Sequence, residues 1–147
     1  MGLLQHAHYR KLYCNELNPM SPIELKDKEL IENARSIINK RFKEDFHHVG
    51  AALRTKSGKV FSSVHLEAYV GRVAVCAEAI AIGMAAAAGD TELETIVAVD
   101  SKGRVVPPCG MCRELISDYA PGCKVIIADA EIVTVSQLLP REYQRMD

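Results

Sequence analysis

Strands alternating with helices behind an opening hairpin predict an α/β fold, with one sheet covered on both faces. Three observations carry that expectation. A capped, periodic apolar run near residue 21 reads as an amphipathic helix. Two short β-rich runs joined by Lys56-Ser57-Gly58 read as a hairpin. Two later helical stretches are then interleaved with short Val- and Ile-rich strands. At 147 residues the chain is long enough for one domain with its own core and no disulfide staples. Residues 1–20 lack periodicity and read as an N-terminal extension, leaving 21–147 as a single domain.

The elements follow in order. Ser21 at the N-cap, Pro22 at the first helical position and Glu24 at the third form a capping box. Leu30, Ile31, Ala34, Ile37, Ile38 and Phe42 then recur at three- and four-residue steps, predicting a helix to about Lys43. Val49 to Arg54 and Lys59 to Val64 are the two strands of the hairpin. Cys76 to Ala88 is Ala-rich and apolar on nearly every face, which predicts a buried helix ended by Gly89. Glu94 to Val99 is a short strand, followed by a turn at Asp100-Ser101-Lys102-Gly103 and a stop at Pro107-Pro108. Cys109 to Tyr119 suits a helix ended by Pro121-Gly122. Lys124 to Ala128 and Ile132 to Val135 read as strands, with a short helical turn near Ser136 to Leu139.

Composition narrows the function. Lys plus Arg is 18 and Asp plus Glu 19, a formal charge of -1, so no basic excess exists to hold a phosphate backbone. That argues against a nucleic-acid partner and for a small molecule. The longest apolar stretch, Ala77 to Ala88, contains Glu78 and is too short to span a bilayer. The first residues hold no apolar run fit for a signal peptide, so a cytoplasmic setting is the expectation. There are five cysteines, an odd number that cannot all pair within one chain. In a reducing compartment, closely spaced cysteines point to metal binding or catalysis.

Cys109-Gly110-Met111-Cys112 follows a proline and opens a helix, placing two sulfurs on one side of its first turn. The positive end of a helix dipole favours thiolate over thiol. Cys76 also starts a helix, so two facing helix starts could present three thiolates to one metal, with Zn²⁺ the best match. Three protein ligands leave a position for water, whose pKa falls from about 15.7 toward about 7 on zinc. Glu78, two residues beyond Cys76, is placed to move protons there without being a ligand. Two other readings of the cysteines stand beside this one. A thiol redox pair is one, although no thioredoxin-like aromatic precedes Cys109. A closed structural zinc site is the other, with His65 or Cys123 as fourth ligand. Otherwise Cys14 and Cys123 read as free thiols.

Cys76-Ala77-Glu78 with Pro108-Cys109-Gly110-Met111-Cys112-Arg113 resembles the zinc signature of the cytidine deaminase superfamily. The all-cysteine form is similar to the small free-nucleoside deaminases and the blasticidin S deaminases. Val49-Gly50-Ala51-Ala52-Leu53 and Leu138-Leu139-Pro140 extend the match, which covers roughly Ile23 to Tyr143. The resemblance implies a three-layer α/β/α sandwich with a mixed five-stranded sheet. It implies zinc held by Cys76, Cys109 and Cys112, and hydrolytic deamination in which zinc hydroxide attacks the amine-bearing ring carbon. Glu78 would shuttle protons and ammonia would leave. The Pro108 carbonyl would accept from the amine, and the Ala77 N–H would hold the base carbonyl. Tyr143 joins the implied substrate contacts. The family also implies a homotetramer, or a homodimer, with sites at subunit boundaries.

Three positions depart from the family pattern. His65-Leu66-Glu67 stands where Asn-x-Glu usually holds the ribose, so Glu67 can still accept from a hydroxyl while His65 has a different reach. His47 replaces a phenylalanine that stacks near the base, and reads equally as a substrate contact or a solvated strand entry. Ala79 replaces an arginine that donates to the cysteine sulfurs, leaving Arg113, Arg72 or backbone N–H groups to compensate. The catalytic centre is intact, so the expected substrate is a cytosine nucleoside such as cytidine or deoxycytidine, or a close analogue. The alternatives are the same chemistry on another aminated heterocycle, including blasticidin S, and a non-catalytic zinc-stabilised binding or assembly domain.

Overall fold

The structure is a computed structural model, and it describes residues 22–144. The N-terminal extension, Cys14 and Ser21 lie outside the described residues. Helix α1 spans Leu25–Arg41, and its N-cap is Glu24 instead of the expected Ser21. The reciprocal acid is Asp27, whose Oδ2 accepts the Glu24 N–H at 3.2 Å. The start is shifted because Asp27 is drawn inward by a tertiary partner, Arg54, which holds its other oxygen at 2.7 Å. The helix also ends two residues early, at Arg41, and the extended backbone of its C-cap, Phe42, leads into a turn closed by Lys43 and His47.

Strands β1 (Val49–Thr55) and β2 (Val60–Val64) form the expected antiparallel hairpin, with Gly58 at φ +90° in its turn. Helix α2 is Ala77–Ala87, strand β3 Leu93–Asp100, and β4 only Val105–Val106. Helix α3 is Gly110–Tyr119, β5 Lys124–Ala128, β6 Glu131–Thr134, and α4 a single turn, Val135–Leu138. The sheet runs β2-β1-β3-β5-β6, with β4 paired to β3 off that path. It is mixed: β3 and β5 are parallel, the other pairs antiparallel. Six strands therefore replace the five expected. The extra one arises because Asp100 Oδ1 accepts the Lys102 and Arg104 N–H groups and Gly103 takes φ +77°, folding Val105 and Val106 back on Val99 and Ala98.

The layers follow from the period-two alternation of the central strands. Leu53 and Ile96 face one way and pack with Ala81, Ile82, Ala85 and Ile116 of α2 and α3. Ala52, Val97 and Val99 face the other way, against Leu30, Ile31, Ala34 and Ile38 of α1. Gly50 allows that close approach, since a Cβ there would lie 2.7 Å from the Ala34 carbonyl oxygen. Ala51, Ala77 and Ala98 form a third, small-residue cluster that lets the start of α2 sit directly on β1 and β3.

Candidate active site

Two helix starts meet at the Val49 end of β1. Cys76 is the N-cap of α2 and Cys109 the N-cap of α3, in nearly identical extended conformations. Neither side chain caps its own helix, so both sulfurs are free to point elsewhere. The start of α2 is held twice. Leu66 and Val75 exchange backbone hydrogen bonds of 2.9 Å, closing the loop that delivers Cys76. The Ser63 hydroxyl donates to the Ala77 carbonyl at 2.6 Å, fastening the helix to β2.

The sulfurs of Cys76, Cys109 and Cys112 all lie within 4.8 Å of one another. Cys76 and Cys109 Sγ are 3.7 Å apart. Two thiolates at about 2.3 Å from one tetrahedral ion would be about 3.8 Å apart, so the spacing suits zinc. Among the described residues this is the one His, Cys, Asp and Glu cluster able to hold a metal ion. Glu78 is buried beside it. Burial pushes the Glu78 carboxyl up from its ordinary value, and pushes the Cys112 thiol up as well. A bound dication reverses that preference for thiols and favours thiolate.

A cavity of about 300 Å³ opens over the cluster. Its walls include Val49, His65, Glu67, Cys76, Ala77, Glu78, Val106, Pro107 and Cys109. The structure thus brings together all the expected site residues except three. His47 does not line the cavity; its Nδ1 donates to the His65 carbonyl at 2.8 Å. Pro108 is buried and does not line the cavity, and its carbonyl accepts from Arg113 Nε at 3.0 Å. Tyr143 is on the surface, 76% exposed, with its N–H donating to the Glu114 carboxylate. Val49, Ala74, Val75, Val106 and Pro107 were missed as wall residues. For Val106 and Pro107 the only sequence signal was the strand stop, which says where the chain turns and nothing about what it faces.

His65 is set by its neighbours. Its Nδ1 accepts the His48 N–H at 2.8 Å and the Val49 N–H at 3.1 Å. A nitrogen that accepts carries no proton, so the neutral ring keeps its proton on Nε2. Burial, with help from His48, lowers the His65 pKa from its ordinary value. Its Nε2 lies 3.9 Å from Glu67 Oε2. Arg113 does not take the place of the arginine missing at Ala79, for its donors go to the Pro108 and Leu138 carbonyls.

A mixed sheet that brings two cysteine-bearing helix starts together as a three-sulfur cluster, with a buried glutamate beside it, fits a zinc-dependent hydrolase. Comparison with known proteins makes that more specific. The family described as the cytidine and deoxycytidylate deaminase zinc-binding region matches residues 25–129. The blasticidin-S deaminase of Bacillus cereus is 52% identical over 134 residues, 84% of this chain and 96% of that protein. The cytidine deaminase of Halalkalibacterium halodurans is 35% identical over 104 residues, 67% of this chain and 79% of that protein. The crystal structure of cytidine deaminase from Mycobacterium leprae superposes with a TM-score of 0.72 at 26% identity, covering 80% of this chain and all of that one. The chain belongs to the cytidine and deoxycytidylate deaminase family. It is a zinc-dependent deaminase acting by hydrolysis on a nucleoside.

Proposed function

We propose that the substrate is a free aminopyrimidine nucleoside and that blasticidin S is preferred to cytidine. The sequence motif puts cytidine or deoxycytidine first. The observation that reverses the order is the 52% identity to the Bacillus cereus blasticidin-S deaminase across 96% of its length. His65 in the place of the usual ribose-binding asparagine supports the same reading.

Cys76, Cys109 and Cys112 are the ligands in this proposal. Zinc, when bound, supplies a Lewis acid that makes water a nucleophile near neutral pH. Glu78 Oε accepts one proton from the attacking water and passes it to the ring nitrogen beside the reacting carbon; it then accepts the second proton from the new carbon-bound hydroxyl and passes it to the leaving amine. Water's oxygen replaces the amine nitrogen, and ammonia departs. His65 and Glu67 contact the sugar, while the Ala77 N–H holds the base carbonyl. The Pro108 carbonyl keeps a second lone pair for the amine. His47 acts through its bond to the His65 carbonyl.

Tyr143 is exposed and does not line the cavity of its own chain, so we place it at the site of a neighbouring copy in a homotetramer or homodimer with sites at the boundaries. Support comes from the apolar surface of the loop between β2 and α2, where Leu66, Tyr69, Val70 and Val73 are exposed. Residues 21–147 are the catalytic domain and 1–20 an extension. A cytoplasmic setting would keep the free thiols reduced. Among the described residues no helix is long and apolar enough to cross a membrane. The formal charge of -1 supports a small-molecule substrate over a nucleic acid.

The test is ammonia release from cytidine, deoxycytidine, N4- and C5-modified cytidines, blasticidin S, and adenine and guanine nucleosides, alongside zinc content. One zinc per chain and a higher kcat/KM for blasticidin S than for cytidine are expected. Silence across the whole panel overturns the reading. Glu78→Gln should retain zinc while kcat falls by at least about 10²-fold.

A further inference from the structure

We propose that Arg113 is a positioning residue for the deaminase centre, acting through the Pro108 carbonyl and the Cys109 turn that follows it. The inference rests on the assignment of Cys109 and Cys112 as metal ligands.

Arg113 lies one residue past Cys112, in the first turn of α3. Its position beside three thiolates suggests a compensating charge, yet its hydrogen bonds lead elsewhere. Nε donates to the Pro108 carbonyl at 3.0 Å, and Nη1 donates to the Leu138 carbonyl at 3.2 Å. One planar guanidinium therefore joins two backbone segments of different origin. The first is the peptide linking Pro108 to Cys109, whose plane determines where Cys109 directs its sulfur. The second is the end of α4.

The segment that follows α4 is tied to α3 as well. The Glu114 carboxylate accepts the Tyr143 N–H at 3.2 Å, and the Ser117 hydroxyl donates to Glu142 Oε2. Arg113 thus ties α3 to the end of α4, and Glu114 and Ser117 tie it to the irregular segment that follows. The Pro108 carbonyl is in this way held from outside the cavity while its remaining lone pair stays available. A lysine cannot reproduce the hold, because a single ammonium lacks the rigid fork that meets two carbonyls from one plane. Groups one shell beyond a metal commonly tune affinity or activity about 10–100-fold.

The test uses the full chain, zinc-loaded, as wild type, Arg113→Lys and Arg113→Ala. Zinc transfer to a chromogenic chelator is timed, and melting temperature, kcat and KM are measured. Both variants should release zinc about 10–100-fold faster. Their kcat should fall while KM changes little, and Arg113→Lys should not rescue either property. Ile38→Val on α1, across the sheet, is the stability control: it should lower the melting temperature and leave zinc release unchanged. Wild-type zinc release and kcat in Arg113→Lys overturn the proposal, as does equal acceleration by Ile38→Val. If the wild type deaminates nothing, the substrate reading falls, and zinc release still decides the role of Arg113. A wild type that binds no zinc overturns the ligand assignment and this inference with it.

Discussion

At the Arg54 end of β1, a guanidinium is buried beside Asp27, Glu94 and Thr95. At the Val49 end, three sulfurs lie together next to a buried carboxyl. Both clusters are polar, both sit on the same central strands, and both draw on a helix as well as the sheet. The Arg54 cluster is complete. Nε donates to Glu94 at 2.7 Å, Nη2 to Asp27 at 2.7 Å and Thr95 at 3.1 Å, and Nη1 to the Lys26 carbonyl at 2.8 Å. The cysteine cluster gathers groups that would all ionise to the same sign. Its closure needs a cation and its cavity leaves room for a substrate. A polar cluster satisfied by its own residues serves architecture, whereas one that lacks its counter-charge marks the chemistry.

Breaking each cluster should therefore give a different signature. The largest effect is expected from Cys112→Ser, which removes the buried sulfur. Zinc content should drop well below one per chain, and ammonia release should fall by more than the roughly 10–100-fold typical of outer-shell changes. Full zinc retention, measured by elemental analysis, would contradict the ligand assignment. Next comes Arg54→Met. Removing one partner of a buried ion pair leaves Asp27 uncompensated and costs about 3–5 kcal/mol in denaturant unfolding. Zinc stoichiometry should stay at wild type, because the two clusters occupy opposite ends of the strand.

The smallest effect concerns pH. Hydrogen bonds from Arg54 and then Lys26 lower the Glu94 pKa from 4.5 to about 2. The native carboxylate therefore binds its proton at lower pH than the unfolded one. Its stabilising contribution is full above about 4.5 and is lost as pH falls from there through about 2. Unfolding midpoints of wild type and Glu94→Gln should diverge above that window and converge below it. Parallel curves throughout would show that the Glu94 charge contributes nothing.

Much of this was legible in advance because the signals were local. The hairpin followed from a Gly-bearing turn between β-rich runs, and both cysteine helices started within one residue of where their motifs placed them. The cluster itself was legible from two short motifs at helix starts. Three features were not. The start of α1 moved to Glu24 because Asp27 answers to Arg54, a residue on another element. The sixth strand, two residues long, depends on a turn folding it back on β3. Arg113 looked like a counter-charge from its position next to Cys112, and only the approach of Leu138 shows it bridging backbone.

The sequence by itself pointed to the candidate cluster, because Cys76 with Glu78 and Cys109 with Cys112 each share one helix turn, while the meeting of the two helix starts was decided by the tertiary structure. It also determined the alternation of strands and helices, since burial on a two-residue or near-four-residue period is written along the chain. Only the tertiary structure decided which tautomer His65 presents, that His47 bonds the His65 carbonyl instead of lining the cavity, and which carbonyls Arg113 meets. Those outcomes depend on backbone groups brought together from distant positions, and no local pattern of residues records which carbonyl or N–H a side chain will meet.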